Sequence, residues 1–97
     1  LNYCVVCNRP TNTMHHLIFG QSRRSLCDYD RLLIPLCDTC HTLGSKRLHD
    51  NSVAEYLSKA YGQALWEKQE IVSGCSADIA RDRFIKRYGK NWISEGL

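Results

Sequence analysis

The sequence predicts a small α+β fold, in which a metal-stapled β-finger is followed by two helices within a single domain of 97 residues. Three observations carry that expectation. The pairs Cys4-x2-Cys7 and Cys37-x2-Cys40 stand at metal-ligand spacing. The segments beside them are short and rich in β-branched or large apolar residues, which suits strands. From Ser52 onward the apolar pattern changes to a helical period. A second independent core is excluded, because a chain this short buries only about 60 to 65% of the surface that its unfolded form exposes.

Taken in order, Tyr3 to Cys7 reads as a first strand that ends in a cysteine turn, and Leu32 to Cys37 as a second, with a long polar loop between them. The segment after Cys37 reads as a short helix stopped by Gly44. Ser52-Val53-Ala54-Glu55 is a capping box, and the helix it starts should run to about Glu70. Its apolar positions Val53, Leu57, Ala60, Tyr61, Ala64 and Leu65 recur on one face, which is expected to be buried. Residues 71 to 75 form a break. Ser76 with Asp78 then caps a third helix, which turns Ile79, Phe84, Ile85 and Tyr88 inward and ends at Gly89. The expected organisation is a metal-braced core over residues 1–50 and a helical extension over 51–97.

No apolar run approaches the roughly 18 residues of a membrane span, and the longest, Leu32 to Leu36, is strand-sized. No signal-peptide pattern opens the chain, and since it begins with Leu1 an initiator residue is expected to precede it. The expected location is cytoplasmic, away from membranes. The net charge of +3 is unevenly spread. Arg9, Arg23 and Arg24 stand in residues 1–27 with no acid, and Arg81, Arg83, Lys86, Arg87 and Lys90 crowd residues 80–92 against Asp82 alone. Basic segments around a metal centre suit a polyanion such as nucleic acid, although solvated basic helices are also common in proteins that bind none.

Six cysteines invite a disulfide reading, but the two matched pairs argue for metal. Zinc takes four ligands in a tetrahedron, and each tight Cys-x2-Cys turn supplies two sulfurs from one loop. Cys4, Cys7, Cys37 and Cys40 are therefore expected to hold a structural zinc, with redox pairs or disulfides as the competing reading. Zinc binding can add roughly 10 kcal/mol or more to a small fold. Cys27 and Cys75 stand alone and read as plain buried or surface thiols.

The remaining chemistry lies in four histidines. His15 and His16 are adjacent, His41 directly follows Cys40, and His49 lies further along. The 29 residues between Cys7 and Cys37 exceed what a minimal zinc finger needs, so the metal fixes the base of a long hairpin that carries the histidine pair back toward His41. Neighbours on an extended segment point in opposite directions. One imidazole of the pair is then free to bind a metal while the other meets a different target, as a base would.

Cys-x2-Cys, a His-His pair and Cys-x2-Cys-His, in this order, resemble the HNH endonucleases of the ββα-metal, treble-clef-like fold, in the subgroup braced by a Cys4 zinc site. The fuller string His15-His16-Leu17-Ile18-Phe19-Gly20, then Arg23 or Arg24, Leu36-Cys37, Cys40-His41 and His49, is similar to small HNH proteins of phages and prophages. So is the tail Phe84-Ile85-x3-Gly89-Lys90-Asn91-Trp92. The resemblance implies His16 as general base, and His15, His41 and His49 as ligands of a catalytic divalent metal. Cys4, Cys7, Cys37 and Cys40 would be the structural zinc site. Two positions depart from the family pattern. Leu32 stands where the central Asn usually sits, which leaves Asp30 as the nearest polar candidate for the catalytic set. Ser45 stands where the last histidine often lies, so His49 must reach further.

What the resemblance implies is a metal-dependent endonuclease that hydrolyses DNA phosphodiesters. A neutral imidazole at His16 takes the proton of water, and one cation meets a phosphate oxygen and the departing 3′ oxygen. Imidazole ligands are softer than carboxylates, so Mn²⁺, Ni²⁺, Co²⁺ or Zn²⁺ should compete well with Mg²⁺. Arg23, Arg24 and Arg47 are candidates for clamping flanking phosphates. The rival reading is a non-catalytic zinc module that binds nucleic acid or a protein partner, for instance beside a phage replication or packaging machine. Such a module needs only the sulfur site, whereas the nuclease needs two.

Overall fold

The computed structural model describes residues 2–20, 23–43 and 52–93. Two short antiparallel pairs carry the N-terminal half. Strand β1 (Asn2–Tyr3) pairs with β2 (Pro10–Thr11), with Asn2 opposite Thr11. Strand β3 (Met14–His16) pairs with β4 (Leu33–Pro35), placing His15 opposite Ile34 and His16 opposite Leu33. Helix α1 (Arg24–Asp30) lies between β3 and β4, and a five-residue π-helical turn, Thr39–Leu43, follows the second cysteine pair's first member. Two longer helices complete the chain, α2 (Ser52–Val72) and α3 (Ala77–Tyr88).

The first strand is shorter than the sequence predicts. Beyond Tyr3 the chain turns so that two sulfurs can face one centre: the Cys4 N–H donates to the Arg9 carbonyl at 2.8 Å, and the Asn8 N–H to the Cys4 carbonyl at 2.8 Å. Asn8 takes the left-handed conformation (φ 63°) that closes this knuckle. Val5 and Val6 thereby stand at its exposed tip, in spite of their strand propensity. The expected polar loop contains β2, β3 and α1. Helix α1 has no side-chain cap and buries only Cys27, so the usual sequence signals of a helix are missing.

The helices carry the core. Leu17, Ile18, Cys27 and Leu32 from the N-terminal half pack with Trp66, Phe84, Tyr88 and Trp92, so one core joins the finger to its helical extension. Phe84 stacks on Tyr88 with ring centres 4.7 Å apart and meets Trp66 and Trp92 edge-on. A smaller cluster gathers Cys4, Leu36 and Cys37, with Cys40 against it. On α3, Ser76 caps as expected, accepting the Ile79 N–H, and Gly89 ends the helix at φ 83°. Phe84 and Tyr88 are buried, whereas Ile79 and Ile85 are exposed and Ala80 takes an inward place.

Helix α2 follows its apolar periodicity only in part: Ala60 and Leu65 pack against the core beside the buried Trp66. Val53, Leu57 and Tyr61 are 66, 60 and 52% exposed, while Ser58, Gln63 and Glu67 are buried. The inward polar groups are satisfied. Gln63 donates to Glu67 and Asn91 and accepts the Trp92 N–H at 2.7 Å, and Glu67 also receives Arg81. Gly62 lets α2 approach closely, since a Cβ there would stand 2.7 Å from Ile18 Cγ1 and 3.0 Å from Leu17 Cβ.

Candidate metal centre and histidine cleft

The two cysteine turns meet at the foot of the β3–β4 pair. One ligand sulfur from each of Cys4, Cys7, Cys37 and Cys40 lies within 4.8 Å of all the others, and Cys7 Sγ is 3.6 Å from Cys37 Sγ. Four sulfurs about 2.3 Å from one tetrahedral ion stand about 3.8 Å apart, so the cluster can hold a metal such as zinc. None of the six cysteines is paired in a disulfide.

The electrostatics of the cluster also call for a cation. Burial pushes the Cys4 thiol up, yet the backbone N–H groups of Cys37, Cys7 and Val6, with the Cys7 side chain, outweigh it and bring Cys4 down to about 6. Cys40 is pushed up to about 12 by burial and by Cys37, Cys4 and Cys7. The turns thus favour a thiolate at Cys4 while its neighbours resist a further negative charge. A cation at the centre removes that repulsion and allows all four sulfurs to ionise.

Strand β3 separates the histidine pair as a strand must. His15 is fully buried and turns toward α2, where its Nε2 lies 3.0 Å from Ser58 Oγ. Ser58 donates its own hydroxyl proton to the Leu17 carbonyl at 2.7 Å, so it accepts from His15. His15 is therefore the Nε2–H tautomer, and Nδ1 carries the lone pair that a metal requires. His16 is half-buried and turns toward α1, its Nε2 2.8 Å from Asp28 Oδ1.

His41 joins them from the π-helical turn. Its N–H donates to the Cys37 carbonyl at 2.9 Å, and this turn directs neighbouring side chains apart, so Cys40 serves the sulfur cluster while His41 meets His15 with ring centres 5.1 Å apart. A cleft of about 320 Å³ is lined by Thr13, Met14, His15, His16, Phe19, Gly20, Arg24 and His41. It collects three of the four histidines.

The other sequence candidates fall differently. Of the arginines, Arg24 reaches the cleft, whereas the Arg23 guanidinium lies 5.1 Å from the Trp92 ring centre. Arg47 and His49 lie outside the described residues. Asp30, expected to stand in for the central Asn, instead takes a bidentate pair of hydrogen bonds from Arg87 (2.8 and 2.9 Å) and one from the Tyr88 hydroxyl (2.6 Å), tying α1 to α3. The carboxylate beside His16 is Asp28, one helical position that no sequence signal distinguished from Asp30. Ser58 was missed as well; its sign was a small residue one turn before Gly62, where helix and strand come close. Cys27 is the plain buried thiol expected, and donates to the Ile18 carbonyl at 3.2 Å.

Helix α3 is less basic than its composition. Arg81 pairs with Glu67, Arg83 with Glu70, Lys86 with Asp82 and Arg87 with Asp30. Two of these pairs, Arg81–Glu67 and Arg87–Asp30, are partly buried, and the other two lie on the surface. Among the described residues, Arg24 and Lys90 make no ion pair, and both border hollows on the surface.

The molecule is thus a small α+β protein with a four-cysteine cluster that could hold a metal, set beside a histidine-lined cleft. Residues 1–76 match the model of the family described as "Protein of unknown function (DUF968)", and the chain belongs to that family. The match takes in both cysteine pairs, the histidines and α2. No curated protein and no solved structure matches the chain. Among the described residues, no helix is long and apolar enough to cross a membrane.

Proposed function

We propose that this protein is a metal-dependent endonuclease of the HNH kind, a phage or prophage enzyme that hydrolyses phosphodiester bonds in DNA. The observation that carries the reading is the meeting of His15 and His41, ring centres 5.1 Å apart, in the same cleft as His16. In this reading the β3–β4 pair and the short helical turn bearing His41 would form the ββα-metal finger. Zinc at the four cysteines would hold its base.

His15, through Nδ1, and His41 would hold the catalytic divalent cation, Mg²⁺, Mn²⁺, Ni²⁺ or Zn²⁺. When bound, that ion supplies positive charge to a phosphate oxygen and to the departing 3′ oxygen. The protein's own groups do the rest. Asp28 accepts the Nε2 proton of His16, which orients the ring and leaves Nδ1 as the nitrogen that takes a proton from water. Arg24, which lines the cleft and makes no ion pair among the described residues, would meet the phosphate. Ser58 holds His15 in the tautomer that binds metal.

Nicking of supercoiled plasmid, with Mg²⁺ or Mn²⁺ added to the zinc-loaded protein, tests this. His16→Ala should fold, keep both metals and cut roughly 100-fold or more slowly at any metal concentration. His15→Ala should recover in part when the cation is raised. If the parent protein nicks nothing with any of these ions, or His16→Ala nicks as fast as the parent, the nuclease reading fails. One observation favours the rival, a non-catalytic zinc module: the exposed Val53, Leu57 and Tyr61 along α2 are what a protein partner would cover.

A further inference from the structure

A second hollow, of about 230 Å³, is lined by Glu55, Tyr56, Lys59, Lys90 and Trp92. Side chains connect it to the histidine cleft. Lys59 Nζ stands 4.7 Å from the Phe19 ring centre, and that ring centre is 5.4 Å from the centre of His15. The ammonium of Lys59 is then within about 10 Å of the His15 ring, which is roughly three nucleotide rises of about 3.4 Å along one strand.

The hollow offers two kinds of contact. Tyr56, an aromatic ring 43% exposed, and the buried Trp92 both line it. Lys59 is held by Glu55 at 2.9 Å and by the rings of Phe19 and Trp92, so its charge is already offset. Lys90 is exposed and makes no ion pair among the described residues. An aromatic face beside one uncompensated ammonium suits a nucleotide, whose base stacks and whose phosphate meets the cation. A paired base in a duplex has no face to offer, because both are covered by its neighbours.

We propose that this hollow binds an unpaired nucleotide of the strand whose phosphodiester sits in the histidine cleft, its base stacked on Tyr56 and its phosphate at Lys90. The proposal rests on the nuclease reading of the cleft, and narrows the substrate to DNA with unpaired nucleotides flanking the cut. It also gives Tyr56 and Lys90, both far in sequence from the histidines, a role in selecting that substrate.

The test is fluorescence anisotropy of the zinc-loaded full chain with labelled oligo-dT and with a labelled duplex of equal length, without added Mg²⁺ or Mn²⁺. Tyr56→Ala should weaken oligo-dT binding at least about fivefold and Tyr56→Phe should restore it, while duplex binding stays within twofold of the parent. Lys90→Ala should flatten the salt dependence of oligo-dT binding by about 0.7 in the log–log slope, the loss of one phosphate contact on a single strand. If Tyr56→Ala and Lys90→Ala bind oligo-dT like the parent while Arg24→Ala binds it weakly, the subsite is refuted and the nuclease reading stands. If the parent binds neither oligonucleotide, both fall, and a protein-binding role takes their place.

Discussion

Ser58→Ala tests how the helical half supports the histidine pair. The hydroxyl makes two hydrogen bonds where water does not reach: it donates to the Leu17 carbonyl at 2.7 Å and accepts from His15 Nε2 at 3.0 Å, and both residues are at most 1% exposed. Alanine removes both bonds and replaces them with nothing. Each polar group that loses its partner costs about 1–3 kcal/mol, against which alanine's better helix propensity returns only about half a kcal/mol. The net loss should be about 2–4 kcal/mol. For a domain of this length that is a fall in Tm of roughly 10–30 °C, at about 4–8 °C per kcal/mol. The partner that fixes the imidazole is also gone, so affinity for a cation in the cleft should drop about 10- to 100-fold. Thermal melts of the zinc-loaded protein measure the first effect and Mn²⁺ titration the second. A variant as stable as the parent, with unchanged Mn²⁺ binding, would refute the claim that α2 sets the tautomer of His15.

Cys37→Ser should abolish stoichiometric zinc, read by elemental analysis, and leave a chain largely unfolded at 37 °C, since the roughly 10 kcal/mol or more from the metal is comparable to a small domain's total stability. Gly62→Ala should destabilise by about 1–2 kcal/mol in urea melts even though alanine favours helix, because its Cβ would lie 2.7 Å from Ile18 Cγ1; a gain in stability would show that α2 is free to move away. Asp28→Asn should leave zinc content intact and slow plasmid nicking about tenfold, less than the loss of His16 itself, because the carboxylate positions the ring and is solvent-exposed. Tyr88→Phe has a pH signature. Burial, then the Asp30 carboxylate, push the Tyr88 phenol well above its usual value. The folded state therefore holds this proton more tightly than the unfolded chain, whose tyrosine titrates near 10, so the contribution is complete below about pH 10 and is lost above it. Urea melts between about pH 9 and 11 should show the parent losing stability faster than Tyr88→Phe.

The cysteine turns were legible because Cys-x2-Cys is a local pattern whose geometry depends on nothing distant, and the meeting of Cys4 with Cys37 follows once one ion must serve both. The split of His15 and His16 to two sides was legible too, from the strand's period of two. The burial of α2 was legible only in part, since Ala60 and Leu65 face the core as their period predicts but Val53, Leu57 and Tyr61 do not. Periodicity assumes that apolar residues face inward, and here Ser58, Gln63 and Glu67 do so, each satisfied by a group from elsewhere in the chain. Those partners, the Leu17 carbonyl, the Trp92 N–H and the Arg81 guanidinium, are tertiary facts with no local trace. The exchange of Asp30 for Asp28 has the same origin. The two carboxylates differ by two positions on one helix, and only the placement of α3 decides which is taken by Arg87 and Tyr88. Charge counting likewise could not see that Glu67, Glu70 and Asp30, from other elements, lie opposite three of the arginines of α3.

The clasp of Ser58 on the histidine strand has a consequence for the order of events on the ribosome. The cysteines of the metal cluster and the three histidines of the cleft have all been synthesised by residue 41, while Ser58, Gly62 and the aromatic residues that seat α2, down to Trp92, come later. A nascent chain whose four cysteines are complete still has an unlatched His15, and the latch closes only once α2 is seated against the core. Under the nuclease proposal, the cation site at His15 would then be completed later than the cysteine cluster that braces it.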